Sequence, residues 1–70
     1  MLALDFDSSI YNARAVKKAI SDYQGLADFN LKEKKGRITV QVSNIRDKAL
    51  APLFAKEFSN YVLSLVGALK

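Results

Sequence analysis

Apolar and polar residues alternate at the start of the chain, from Leu2 to Asp7. Leu2, Leu4 and Phe6 fall on one side of this alternation, and a period of two residues is typical of a strand with one buried face. We therefore expect a first strand over Leu2 to Asp7.

The next segment has a period of three to four residues, which predicts an amphipathic helix over Ala13 to Gln24 with a basic outer face. Asn12 is suited to cap its first turn, because the side chain can accept a hydrogen bond from a free backbone amide. Gly25 is suited to end it, because a left-handed residue costs least at glycine.

Alternation returns on both sides of a polar connection that contains Gly36, so Ala27 to Ser43 is predicted to form a β-hairpin. Asp47 can cap a first turn beyond it. Pro52 then suits the first position of a long helix that continues to Leu69, because the missing N–H of proline costs nothing there.

These segments predict a single two-layer α+β domain over residues 1–70, in the order βαββα. A helical crossover between the first two strands favours either parallel neighbours or a third strand between them. Because the hairpin partner is antiparallel, we expect the sheet order 1-3-2 or a close variant, with both helices on one face. The predicted core consists of Leu4, Phe6, Val16, Ile20, Tyr23, Phe29, Leu31, Ile38, Val40, Val42, Phe54, Phe58, Tyr61, Val62 and Leu65.

The composition removes several kinds of chemistry. The 70 residues include no Cys and no His, so thiolate chemistry and the commonest general base are both excluded. Asp5 and Asp7 share a strand face and could hold a divalent cation or share a proton. Two carboxylates without a third ligand are more often the solvent side of a half-buried strand. We therefore expect no catalytic residue, no cofactor and no metal, and hence not an enzyme.

The formal net charge of +4 permits an anionic partner without requiring one. A basic segment on and after the hairpin could contact phosphates, which makes a small nucleic-acid-binding protein the alternative function. Its residues are Lys32, Lys34, Lys35, Arg37, Arg46 and Lys48. The outward positions of the hairpin carry no aromatic residue for base stacking, so lysines that protect a solvated sheet edge are the favoured interpretation.

The last helix has more apolar surface than one sheet face needs to cover it. Small domains with little core often dimerise, so we expect a homodimer or a complex with a protein or peptide partner on this helix. The predicted partner-binding residues are Leu53, Phe58, Tyr61, Leu63 and Val66. No apolar stretch is long enough to span a bilayer and no targeting signal is evident, so we expect a cytoplasmic protein without a membrane partner.

Most of the chain resembles a known family, the His-Xaa-Ser system protein HxsD and its relatives. The similar parts are the N-terminal strand, Ile10-Tyr11 leading into Ala15-Val16-Lys17-Lys18-Ala19-Ile20 with Tyr23, and Glu57-Phe58-Ser59-Asn60-Tyr61-Val62-Leu63. The chain departs from the family pattern at Ser64, where an acidic residue is expected, and at Leu69-Lys70, where the family has Leu-Arg. These small proteins accompany radical SAM maturases. The resemblance implies an accessory role beside a peptide-maturation enzyme, so the leading hypothesis is a non-catalytic protein- or peptide-binding module.

Overall fold

The structure, a computed structural model, describes residues 2–68 of the chain. It confirms the α+β fold in the order βαββα, with three strands in one sheet and two helices. Leu69, the last residue of the predicted final helix, lies outside the described residues. The elements are β1 (Leu2–Asp7), α1 (Ala13–Tyr23), β2 (Asp28–Lys34), β3 (Arg37–Ser43), a 3₁₀ turn η1 (Ala51–Leu53) and α2 (Phe54–Ala68).

The sheet has the predicted order β1-β3-β2, and β3 is antiparallel to both of its neighbours. Since β1 and β2 are both antiparallel to β3, they run in the same direction on its two sides. Each residue from Arg37 to Val42 therefore lies between one residue of β1 and one residue of β2, and the three form a row across the sheet. One row joins Asp5, Thr39 and Lys32, and another joins Asp7, Arg37 and Lys34.

A two-residue turn closes the hairpin between Lys34 and Arg37, which pair directly. Gly36 has a φ of 76°, in the left-handed region that glycine enters without steric cost. A positive φ at the second central residue is the requirement of a type II turn. The glycine in the polar connection thus sets the hairpin register.

The first helix begins as the sequence predicts and ends differently. The Asn12 side chain accepts a hydrogen bond of 2.7 Å from the Ala15 backbone N–H, which confirms the cap. At the other end, Gln24 remains in the right-handed helical region, and Gly36 is the only glycine with positive φ among residues 2–68. The expected left-handed end at Gly25 is therefore wrong; a turn with a Leu26 N–H to Tyr23 carbonyl bond of 2.9 Å ends the helix instead.

The second helix begins two residues later than predicted. The Asp47 side chain accepts from the Ala49 backbone N–H at 2.9 Å and so organises a first turn, as expected. Pro52 then lies in the 3₁₀ turn Ala51–Leu53, and the α-helix starts at Phe54. Proline has no backbone N–H to donate, so Pro52 is accommodated in this short 3₁₀ turn and the regular helix begins after it.

The core lies between the sheet and the two helices. All of the predicted core residues are buried or pack against the buried cluster. The four Phe and three Tyr rings form one continuous network in which Phe58 packs against Phe6, Tyr23, Phe29 and Phe54. Three small residues outside the predicted core are also buried: Ala15, Ala19 and Ala27.

Within residues 2–68, neither helix has the length and apolarity that a membrane span requires.

Candidate functional site

An open groove lies between α1 and the start of β2. It has a volume of about 310 Å³ and is lined by Ile20, Gln24, Ala27, Asp28 and Phe29. The first two lie one helical turn apart on α1, and the other three follow one another into β2. Ile20 and Phe29 are half-buried and supply the apolar part of a lining that is otherwise mostly polar.

Loop contacts hold the β2 side of this groove in place. The Leu26 carbonyl accepts a hydrogen bond of 2.9 Å from the Arg46 backbone N–H, which ties the end of the α1 turn to the segment after β3. The Asp28 carboxylate accepts from the Asn44 side-chain amide at 2.8 Å and from the Arg46 guanidinium at 3.0 Å. These two bonds, the Asn44 bond first, lower the pKa of Asp28. One rim of the groove is therefore a fixed carboxylate.

The groove lies beside a free strand edge. In an antiparallel pair, residues alternate between positions that bond the neighbouring strand and positions that point away from it. The two-residue turn makes Lys34 and Arg37 a bonded pair, so the alternation directs the N–H and C=O groups of Phe29, Leu31 and Glu33 to the open edge of β2. Such a row of strand groups can pair with an added extended segment.

The open face of the sheet is polar, and neither of the two helices within residues 2–68 covers it. Lys32 and Lys34 project from this face next to the free edge, and both are exposed. The ion pairs found among residues 2–68 join Lys17 to Glu33, Lys18 to Asp22 and Arg46 to Asp28. Neither of these two lysines takes part in them.

Asp5 and Asp7 share this open face, as their spacing predicts, but each is bonded to a different neighbour. The Asp5 carboxylate accepts from the Thr39 hydroxyl at 2.7 Å. Asp7 accepts from the Ser9 backbone N–H at 2.9 Å and from its hydroxyl at 2.7 Å, and the backbone bond is the main reason that the pKa of Asp7 is lowered. Within residues 2–68, no group of three or more potential metal ligands comes together.

The six basic residues do not form one surface. Lys32, Lys34, Lys35 and Arg37 lie at or near the hairpin turn, whereas Arg46 and Lys48 follow the far end of β3. The six residue steps from Arg37 to Ser43 span about 20 Å in a strand, and Arg46 is already paired with Asp28. This division gives the nucleic-acid alternative no specific support.

The predicted surface on the last helix is smaller than the sequence suggests. Leu53 and Leu63 are 54% and 51% exposed. Tyr61 and Val66 are half-buried against the core. Phe58 is wholly buried and has no surface to offer a partner, so its prediction as a partner-binding residue is wrong. In a continuous helix the two exposed leucines would lie about 15 Å apart and about 80° apart around the axis.

The sequence did not predict the groove, although Ile20 and Phe29, two of its lining residues, belong to the predicted core. A period of two or 3.6 residues shows which side of an element is buried, and it does not show where a helix lies relative to the edge of a sheet. The signal that the sequence offered was the difference in width between a layer of two helices and a sheet of three strands.

The comparisons identify no relative of this chain: a scan against protein-family models, a search of the curated proteins and a search of the solved structures each returned no match. The resemblance to the HxsD family stays a prediction that is based on the residues.

Proposed function

We propose that this chain is a non-catalytic peptide-binding module that captures an extended segment along the free edge of β2. The observation that carries the proposal is the groove between α1 and β2, where the half-buried Ile20 and Phe29 lie beside the strand groups at the edge of β2 that no other strand of residues 2–68 pairs. Strand addition of this kind derives its affinity from backbone hydrogen bonds and its selectivity from pockets for alternate side chains. Ile20 and Phe29 would bind one such side chain.

The widths of the two layers support a single added strand. Three strands at about 4.8 Å each occupy about 14 Å. Two helices packed 8–10 Å apart occupy roughly 18–20 Å. By these general dimensions a two-helix layer is wider than a three-stranded sheet by about one strand, and the groove lies between α1 and the edge strand β2. An extended peptide needs only the width of one strand, whereas another folded sheet would also need space for its own helices.

The resemblance to the HxsD family suggests the setting of this function: an accessory protein that holds a peptide for a radical SAM maturase in the cytoplasm. The exposed Leu53 and Leu63 support a second contact, either with another copy of the chain or with that enzyme. Both contacts use surfaces that are separate from the groove.

The proposal is tested with a neutral peptide of alternating pattern, Leu-Ala-Leu-Asn-Phe-Asn, added to ¹⁵N-labelled protein. We expect amide shift changes at Phe29, Leu31 and Glu33, because their backbone groups face the open edge. Gln24→Trp, which fills the groove, should weaken binding strongly. Ser21→Trp places the same ring at an exposed position of α1 outside the groove and should leave binding unchanged.

Shift changes confined to other surfaces, or equal binding by Gln24→Trp and the unmodified protein, would overturn the proposal. Genome neighbours without any peptide-modifying enzyme would remove the accessory role while leaving peptide binding intact.

A further inference from the structure

We propose that the segment bound along β2 is acidic on its solvent-facing side, with apolar residues alternating with Asp or Glu. This inference rests on the proposed function and names the chemistry of the ligand. It follows from the side chains that β2 presents on its two faces next to the free edge.

The open face of β2 carries two lysines toward the hairpin turn, whereas Asp28 at the other end of the strand is already paired with Arg46. Lys32 and Lys34 are two residues apart on the open face of β2, both are exposed, and neither belongs to the ion pairs found within residues 2–68. A strand added beside β2 brings alternate side chains within about 5 Å of such residues. Opposite charges in these positions stabilise the pair and like charges destabilise it, so a segment with carboxylates there is favoured and a basic one is disfavoured.

The side of the bound segment that faces the helices should carry apolar residues. Phe29 and Leu31 point toward the helices and are half-buried at the edge, so apolar partners would complete their burial. Glu33 points the same way and lies 3.4 Å from the Lys17 ammonium, which already supplies its counter-charge. A ligand residue beside Glu33 should therefore carry no negative charge.

Strand β1 already has the proposed pattern, with apolar residues on the side of the helices and carboxylates on the open face. Leu2, Leu4 and Phe6 are on its covered side, and Asp5 and Asp7 are on the open face. In the rows across the sheet, Asp5 lies with Lys32 and Asp7 with Lys34, one strand away across β3. A ligand with the pattern of β1 would place equivalent carboxylates on the other side of the same lysines.

The test compares three peptides that differ only at two positions: Leu-Ala-Leu-Asp-Phe-Asp, its Asn counterpart and its Lys counterpart. The reversed sequence Asp-Phe-Asp-Leu-Ala-Leu is included, because an added strand can run in either direction. Two cross-strand charge pairs should make the acidic peptide bind roughly two- to thirtyfold more tightly than the Asn peptide at low salt. The Lys peptide should be weaker than both, and the differences should shrink at about 0.5 M salt.

The double variant Lys32→Gln/Lys34→Gln should abolish the preference for the acidic peptide without weakening binding of the Asn peptide. The matched control, Lys48→Gln/Lys56→Gln, removes the same net charge at exposed positions off the sheet and should retain the preference.

Each outcome separates this inference from the function on which it rests. If the acidic and Asn peptides bind equally well, the acidic preference is wrong and peptide binding stands. If the preference survives in Lys32→Gln/Lys34→Gln, or disappears equally in the control, it arises elsewhere and the inference is wrong. If none of the peptides binds along β2, the proposed function itself fails.

Discussion

A single tyrosine shows how one side chain takes part in both the core and the surface of this protein. The Tyr61 ring packs beside Tyr23 in the aromatic network, with 5.3 Å between ring centroids. Its hydroxyl donates a hydrogen bond to the Asp22 carboxylate, which also pairs with Lys18 at 3.0 Å. The contact ties α2 to the last turn of α1.

The same contact moves two pKa values in opposite directions. The bond from the Tyr61 hydroxyl, followed by the bond from Lys18, lowers the pKa of Asp22. The bond to Asp22 is also the main reason that the pKa of Tyr61 is raised. A carboxyl group with a lowered pKa stabilises the fold above its unfolded-state pKa. That contribution is lost as the pH falls through the lowered, folded-state pKa.

Tyr61→Phe should therefore raise the pKa of Asp22 toward its ordinary value, although Lys18 remains in place. The acid-dependent part of the stability should shrink in this variant, because Asp22 then differs less between folded and unfolded chains. Carboxyl ¹³C shifts across a pH titration measure the first effect, and urea unfolding at neutral and acid pH measures the second. Tyr11→Phe removes a hydroxyl elsewhere and is the control. An Asp22 pKa that is the same in both variants would contradict the assignment.

At the scale of elements, the pattern of the sequence predicts most of this fold. The bounds of β1, the end of the hairpin at Ser43 and the start of α1 agree with the prediction, because burial on one side of an element imposes a period on its apolar residues. Ala15, Ala19 and Ala27 were missed because alanine is compatible with either side of an element. The groove was missed because it depends on the lateral position of α1 relative to β2, which no residue of either element encodes alone.

The apolar excess on α2 leads to a prediction about association. If a homodimer forms through this helix, Leu63→Glu should dissociate it, because a charge would be buried in the contact. Light scattering across a concentration series measures the change. The amide signals of Ile38 to Val42 should stay in place, since β3 is on the other side of the core. Ile10→Glu adds the same charge at an exposed position outside α2 and is the control. A 7.8 kDa species of the unmodified chain at every concentration would exclude the homodimer.

At the scale of the whole molecule, stability and binding depend on different residues. The aromatic network joins both helices to the two outer strands, with Phe58 at its centre. Lys32, Lys34 and Gln24 are exposed and contribute little to that core. The binding edge can therefore be altered without unfolding the domain, and this separation makes the peptide experiments interpretable.

Phe58→Ala tests how much of the stability depends on the centre of the network. Removing a fully buried phenylalanine ring costs about 3–5 kcal/mol, while a domain of this length has roughly 4–10 kcal/mol in total. We expect a chain that is largely unfolded or that unfolds at much lower urea concentration, followed by circular dichroism. Leu53→Ala, at a residue that is 54% exposed, should stay within about 0.5 kcal/mol of the unmodified protein. Equal unfolding midpoints for the two variants would show that the aromatic network is not the principal source of stability.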